Sequence, residues 1–440
     1  MTLFGTDGVR GRANELLTPE LTVKLARATA LELGATGGRA IIGRDTRTSG
    51  PMLESALAAG LASAGVDVFL AGVVPTPAIS FLIKDELACF GAIVSASHNP
   101  PDDNGIKFFD KRGMKLPVEV ERSIESRLDG PLPAAERVGD IRVVEAAATR
   151  YAAFLSGTID VEAIDLSGHR VAVDCAYGAT SKIAPHVLRH LGADVIEVNT
   201  VPDGTRINQE CGSTHLDAVR AAVAEHDADL GIAFDGDGDR ALLVTASGRT
   251  IDGDRMMGIV ALHMQRLGTL SPQLVVATVM SNLGLEQALR EKGIRLLRTP
   301  VGDRNVAQAL VTEGAQVGGE QSGHIIFSDH SPTGDGILTA VKLLEISHEA
   351  GTDLETLGDQ IPLFPQIHRT FPCDDPNAVL ATEEIREALA SAEAALGDAG
   401  RIIARASGTQ PLFRLTVEAI DEALCAETVS RLSEVVESHV

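Results

Sequence analysis

The sequence predicts an α/β protein in which three tandem, related βαβαβ-type domains with mixed sheets are followed by a C-terminal α+β domain, all surrounding a central cleft. Three observations predict it. A strand–helix–strand–helix–strand grammar recurs three times at a spacing of roughly 100 residues. Gly65, Gly192 and Gly293 each stand just before the second strand of a repeat, where a helix C-cap glycine belongs. Finally, hydrophobic residues make up 44% of the chain but aromatics only 3%, with no Trp, so the cores must be built from Ala, Leu, Val and Ile. That composition suits helices packed on parallel sheets.

Taken in order, the glycine-rich opening Phe4-Gly5-Thr6-Asp7-Gly8-Val9-Arg10-Gly11 precedes a helix from Thr18-Pro19 to about Leu33, with Thr as cap and Pro in its first turn. The first unit then reads as strand Arg39 to Asp45, helix Gly50 to Ala64, strand Val66 to Val74, helix Thr76 to Glu86 and strand Cys89 to Ser95. The second runs Arg170 to Asp174, a helix near Lys182 to Leu191, Ala193 to Asn199, Leu216 to Glu225 and Asp229 to Phe234. The third runs Leu274 to Thr278, Leu283 to Lys292, Ile294 to Thr299, Asp303 to Glu313 and Ala315 to Gly319. After the Pro-rich stretch Ile361-Pro362-Leu363-Phe364-Pro365 the grammar changes: helix Glu383 to Leu396, strand Arg401 to Ala404, alternating strand Phe413 to Ala419 and an amphipathic helix Glu427 to Val436. The expected domains are 1–150, 151–250, 251–364 and 365–440.

With 38 basic against 61 acidic residues and a net charge of −23, the chain repels nucleic acid and anionic membranes. No segment approaches the roughly 18 apolar residues of a membrane span, and Met1-Thr2-Leu3-Phe4-Gly5 carries no basic-then-apolar signal. Five scattered cysteines (89, 175, 211, 373 and 425) without a C-x-x-C suit a reducing compartment. The expected location is the cytoplasm, without membrane insertion.

The third strand of each unit runs into an unusual loop. Val94-Ser95-Ala96-Ser97-His98-Asn99-Pro100 ends a buried strand in a tight turn that carries a hydroxyl and an imidazole. Taken alone, Ser97 could simply bond the turn backbone. Asp235-Gly236-Asp237-Gly238-Asp239-Arg240 offers three carboxylates at alternating positions, separated by glycines, a set of oxygen ligands for a hard divalent ion such as Mg²⁺. An EF-hand is excluded, because Arg240 occupies the position that needs Gly and Ala246 the one that needs a bidentate Glu. Gly318-Gly319-Glu320-Gln321-Ser322-Gly323-His324 presents a carboxylate, an amide, a hydroxyl and an imidazole, as hydroxyl-rich ligands require, although His324 alone is equally a structural histidine. Equivalent ends of three sheets facing one cleft bring these loops together.

In the last domain Arg405, Ser407, Gly408, Thr409 and Arg414 make a phosphate cradle by composition, with Arg414 alternatively a strand-surface charge. No Walker loop, G-x-G-x-x-G, H-E-x-x-H or G-x-S-x-G occurs, so nucleotide kinases, dehydrogenases, zincins and serine hydrolases lack their marks.

The motifs FGTDGVRG, SASHNP followed by Asn104-Gly105-Ile106-Lys107, DGDGDR, GGEQSGH and RASGTQPLFR, in this order over nearly the whole chain, resemble the α-D-phosphohexomutase superfamily. Cys211-Gly212-Ser213-Thr214, the stretch Arg298 to Arg304 and Gln321 look most like its glucosamine-phosphate branch. The resemblance implies four domains and an isomerase that interconverts hexosamine 6- and 1-phosphates through a phosphoserine at Ser97 and a sugar 1,6-bisphosphate, within amino-sugar and cell-wall precursor metabolism. It further implies Mg²⁺ held by the Ser97 phosphate with Asp235, Asp237 and Asp239, sugar contacts from Glu320, Ser322 and His324, and the non-reacting phosphate on Arg405, Ser407, Gly408, Thr409 and Arg414. Arg10, His98, Lys107 and Arg240 complete the catalytic set around Ser97, the cations serving the phosphoryl oxygens. Gln410 departs from the family's usual Glu. The rival readings are a phosphomannose/phosphoglucose mutase and a silent sugar-phosphate-binding regulator. The partner is a hexosamine phosphate, and homodimer formation is left open.

Overall fold

The computed structural model describes residues 3–5, 7–133, 135–159, 164–406 and 411–440. Its three repeats share one sheet plan. In the first, strands Arg39–Arg44, Asp67–Val73 and Phe90–Val94 run parallel, and a fourth, Asp103–Asp110, returns antiparallel. In the second, the corresponding strands are Arg170–Asp174, Asp194–Val198, Leu230–Phe234 and Ala241–Thr245. In the third they are Leu274–Thr278, Arg295–Thr299, Val317–Gly319 and Ile325–Phe327. Each sheet is ordered second–first–third–fourth. The first is extended to six strands by Val9–Arg12 and Ile141–Val143, and the second to five by Thr250–Ile251.

The returning strand matters for the site. It makes each of the three loops a hairpin connection, anchored at both ends to a sheet, instead of the start of a helical crossover. The strands that deliver the loops are buried along their whole length, as Phe90–Val94, Leu230–Phe234 and Val317–Gly319 all show. The anticipated cap glycines are in the left-handed region, with φ of 82° at Gly65, 96° at Gly192 and 74° at Gly293, where a side chain is strained.

One apolar cluster runs through all three repeats, joining Ile41 and Ile79 to Val171 and Ile232 and to Leu285 and Val317. Helix Ala147–Ser156 stitches them, with Phe81 stacked on Phe154 at 4.8 Å. From the same helix the buried Tyr151 hydroxyl donates to Asp335 Oδ2 at 2.6 Å. Asp335 caps helix Gly336–Ala350, accepting from Leu338 N–H at 3.0 Å, and the Gly336 amide donates to Gly238 O in the acidic loop at 3.0 Å.

The C-terminal domain is different. Its three antiparallel strands, Gln366–Pro372, Leu412–Ala419 and Gly400–Ala406, carry a separate core around Phe371, Leu415 and Val429. Polar bonds tie it to the third repeat. The fully buried Glu418 pairs with Arg401 at 2.7 Å and accepts the Leu283 amide at 3.0 Å, while the Asn282 side chain bonds both the N–H and the C=O of Phe364 in the linker, at 2.8 and 2.9 Å.

Tyr151→Phe leaves the buried Asp335 carboxyl without one of its donors. It should lower stability by about 1–3 kcal/mol, the cost of stranding a buried polar group. Urea unfolding followed by far-UV circular dichroism checks this, and an unchanged midpoint refutes it.

Candidate active site

The first loop begins where the buried strand Phe90–Val94 ends. Ser97 sits in the left-handed region at φ 53°, unusual for a serine, and its Oγ donates to Asp235 Oδ2 at 2.6 Å, with His98 Nδ1 at 3.2 Å. The neighbouring backbone is tightly packed. A Cβ on Gly236 would lie 2.8 Å from Ser97 O, so glycine there lets the acidic loop press against the serine loop.

Asp235, Asp237 and Asp239 offer oxygens within 4.8 Å of one another, all three residues being buried. Burial, then Asp239 and Asp237, push the Asp235 carboxyl well above its ordinary range. Lys107 Nζ lies 2.7 Å from Asp237 Oδ2 and 3.7 Å from Asp239 Oδ2. Burial works against ionisation at Asp239 too, but Lys107 and His324 outweigh it and hold that carboxyl well below its usual range. Thr76 Oγ1 donates to Asp237 Oδ2 at 2.6 Å, and the Arg240 amide to Asp235 Oδ1 at 3.2 Å. Asp237 Oδ1 and Asp239 Oδ1 are buried and have no hydrogen-bond partner among the described residues. Converging carboxylate oxygens with lone pairs to spare fit a divalent cation such as Mg²⁺.

The other expected cations gather here. Arg10 donates to Asn99 Oδ1 at 3.1 Å and pairs with Asp7. The Arg240 guanidinium lies 3.9 Å from Asp239. Burial, then the charges of Arg240 and Arg10, push His98 down to about 4, so its imidazole is neutral at neutral pH. In the third loop Glu320 accepts from the Gly302 amide at 3.2 Å and from Ser322 Oγ at 3.3 Å, and both residues are partly exposed. The loop is tied to the second repeat by the Ala241 amide donating to Gly323 O at 3.1 Å.

His324, expected among the sugar contacts, is 1% exposed and packs its ring against Gly334, whose amide donates to Nε2 at 3.1 Å. Its Nδ1 lies 3.6 Å from Asp239 and its Nε2 3.8 Å from Asp303.

Arg405 and Arg414 form a second group, opposite each other across the C-terminal ladder. Burial and then Arg414 lower the pKa of Arg405, and facing like charges are unfavourable unless an anion joins them. Ser407, Gly408 and Thr409, expected to complete the cradle, lie outside the described residues, as does Gln410.

Several participants were not anticipated. Thr76 comes from a Thr-Pro helix start. Lys115, which bridges Asp7 and Asp303, the latter at 2.5 Å, sits in an isolated bridge with Phe109, and Asp303 opens the helix Asp303–Glu313; neither gives a spacing signal. Arg47 and Asn208 bond the serine loop from two different repeats. The Asp45-x-Arg47 pair at a strand end, a carboxylate and a guanidinium two residues apart, was the available clue.

Four stretches of the chain match the domains of one family, phosphoglucomutase/phosphomannomutase: alpha/beta/alpha domain I at residues 1–132, domain II at 149–248, domain III at 252–364 and the C-terminal domain at 370–435. A phosphoglucosamine mutase of Carboxydothermus hydrogenoformans is 47% identical over 442 residues, covering 99% of each chain. Another, from Desulforudis audaxviator, is 49% identical over 441 residues, covering 99% of this chain and 97% of that one. Among solved structures, a phosphoglucomutase/phosphomannomutase family protein of Burkholderia thailandensis superposes with a TM-score of 0.85 at 28% identity, over 99% of this chain and 97% of that one. The N-acetylphosphoglucosamine mutase of Aspergillus fumigatus, solved with GlcNAc-6P and magnesium, shares the fold with a TM-score of 0.68 at 17% identity, over 99% of this chain and 95% of that one. Matches that tile the sequence domain by domain, and relatives identical at nearly half of all positions, show that this chain belongs to the phosphoglucomutase/phosphomannomutase family of the α-D-phosphohexomutase superfamily.

Proposed function

We propose that this chain interconverts glucosamine 6-phosphate and glucosamine 1-phosphate, with Ser97 as the phosphoryl carrier and a sugar 1,6-bisphosphate as the intermediate. The observation that carries the reading is Ser97 Oγ, 2.6 Å from Asp235 at the edge of a buried acidic triad. A hydroxyl placed there has no structural need of three carboxylates. The choice of an amino sugar rests on the full-length relatives named phosphoglucosamine mutase.

In this reading the domains 1–150, 151–250, 251–364 and 365–440 bring the serine loop, the acidic loop, the sugar loop and the phosphate cradle. Asp235, Asp237 and Asp239 would hold Mg²⁺ together with the Ser97 phosphate. A bound Mg²⁺ would supply positive charge to the phosphoryl oxygens. The sugar 1-hydroxyl oxygen bonds to phosphorus as the bond to Ser97 Oγ breaks, the hydroxyl proton ends on the departing Ser97 Oγ, and Arg10, Lys107 and Arg240 supply further positive charge to the phosphoryl group in flight. Glu320 and Ser322 orient the sugar. After the bisphosphate turns over in the cleft, Ser97 takes the 6-phosphoryl group back. The cradle of Arg405 and Arg414, with Ser407, Gly408 and Thr409, holds whichever phosphate is not reacting.

Intact mass should show a phospho-form that disappears in Ser97→Ala together with the mutase activity, and a fully active Ser97→Ala protein would sink the mechanism. Assaying glucosamine, mannose and glucose 6-phosphates side by side tests the sugar: turnover of mannose or glucose but not glucosamine phosphate overturns the amino-sugar assignment. Asp237→Asn should weaken Mg²⁺ binding and lower turnover by at least ~10²-fold, the scale of losing one preorganised electrostatic contributor; activity indifferent to EDTA contradicts this. Removing one partner of a buried charge pair costs ~2–5 kcal/mol, so Arg405→Ala should reduce kcat/KM by roughly 30-fold to a few thousand-fold with the 1-phosphate, the 6-phosphate and the bisphosphate alike. A loss confined to one direction removes the clamp role.

A further inference from the structure

Arg47 is fully buried, as is Asp45 beside it. A guanidinium has five N–H donors in a fixed planar fork, and here all five are used. Nε donates to Asp45 Oδ2 at 2.9 Å. One terminal nitrogen donates to Pro100 O and, at 2.8 Å, to Asp103 O. The other donates to Ser97 O at 3.1 Å and Asn99 O at 2.8 Å. Four of the five therefore end on backbone carbonyls, three in the loop that carries Ser97 and one, Asp103 O, at the start of the strand that follows it.

The rest of the surroundings act on the same loop. Asp45 Oδ2 accepts from Ser95 Oγ at 2.6 Å, and Ser95 Oγ accepts the Ser97 amide at 2.9 Å. From the second repeat, Asn208 Nδ2 donates to Ser97 O at 2.7 Å and Asn99 O at 3.1 Å. The second repeat also backs the turn that bears Arg47: Thr46 Oγ1 donates to Tyr177 O at 2.7 Å, and a Cβ on Gly204 would lie 2.1 Å from Thr46 O. Ser97 is thus fixed through its amide and its carbonyl, and Arg47 holds residues on both sides of the turn. A serine at φ 53° persists only where its surroundings over-determine it. That conformation is what aims Oγ at Asp235.

We propose that Arg47 is a positioning residue for Ser97: it touches no reacting atom, and its fork of N–H groups holds the 97–103 backbone so that the Ser97 hydroxyl meets the acidic loop. Lysine keeps the charge but has three donors and no plane, so it cannot span four carbonyls. A misplacement near 1 Å costs about 10²-fold in rate. An interaction that orients the nucleophile without touching the sugar lowers kcat and leaves KM alone.

The proposal rests on Ser97 as phosphoryl carrier, and its test separates the two. Arg47→Lys should fold, lower kcat by about 10²-fold with KM for glucosamine 1-phosphate within about twofold, slow the phosphorylation of Ser97 by glucose 1,6-bisphosphate seen by intact mass, and speed amide hydrogen exchange in residues 96–103. Asn208→Ala, which removes a neutral donor to two of the same carbonyls, should show the same pattern more weakly, and it carries the test if Arg47→Lys fails to fold. Wild-type kcat with unchanged exchange in 96–103, or a loss expressed wholly in KM, overturns the positioning role. If the wild-type protein has no mutase activity, the phosphomutase reading fails by itself, and the exchange of 96–103 in the two variants still decides whether Arg47 sets the loop.

Discussion

Three carboxylates buried within 4.8 Å of one another repel each other and have lost their water, and an arrangement of that kind survives only if positive charge is brought to it. The first repeat brings Lys107 and the second Arg240, and the third adds the His324 imidazole, 3.6 Å from Asp239. No single repeat can satisfy the loop by itself, so its electrostatic demand is also an instruction for how the repeats assemble. The continuous apolar cluster supplies the adhesion; the charges set the register in which the repeats adhere. Hydrophobic contact is not directional, and the polar bonds across the cleft are.

Much of this was legible in the chain. The three parallel strands of each repeat, the helices between them and the cap glycines follow from local pattern, and the structure places the first strands Arg170–Asp174 and Leu274–Thr278 on the residues expected. The loops stood out because each breaks an apolar run with chemistry that a core does not need. What stayed hidden depends on distance along the chain. The returning strand Asp103–Asp110 has Asn104 and Lys107 among its buried residues, so it lacks the apolar run that marks its neighbours; only the opposing loops explain why polar groups are buried there. His324 reads as a free imidazole on a polar loop, and only the packing of Gly334 against it shows that Nε2 already accepts a backbone amide. Thr76 and Asp237 are bonded across 161 positions, a pairing that no local spacing announces.

The hairpin form of the three loops bears on precision. A loop that opens into a crossover helix is held at one strand and drifts with the helix; a loop between antiparallel neighbours is held at both ends by ladder bonds. Phosphoryl transfer asks mainly for placement, and short loops closed at both ends supply it with little ordering left to do when the sugar arrives.

The joint between the third repeat and the C-terminal domain has the opposite character. Glu418, Arg401 and Asn282 connect the two by hydrogen bonds, to the Leu283 amide, the Ser281 carbonyl and the Phe364 backbone, while each side keeps its own apolar core. Cooperativity of unfolding follows shared core more than shared bonds. With separate cores, the C-terminal domain can open without exposing the core of the repeats, breaking polar bonds at the joint. A ligand that touched both sides at once would favour the state in which both are folded, and would become a transient part of what makes the two behave as one protein.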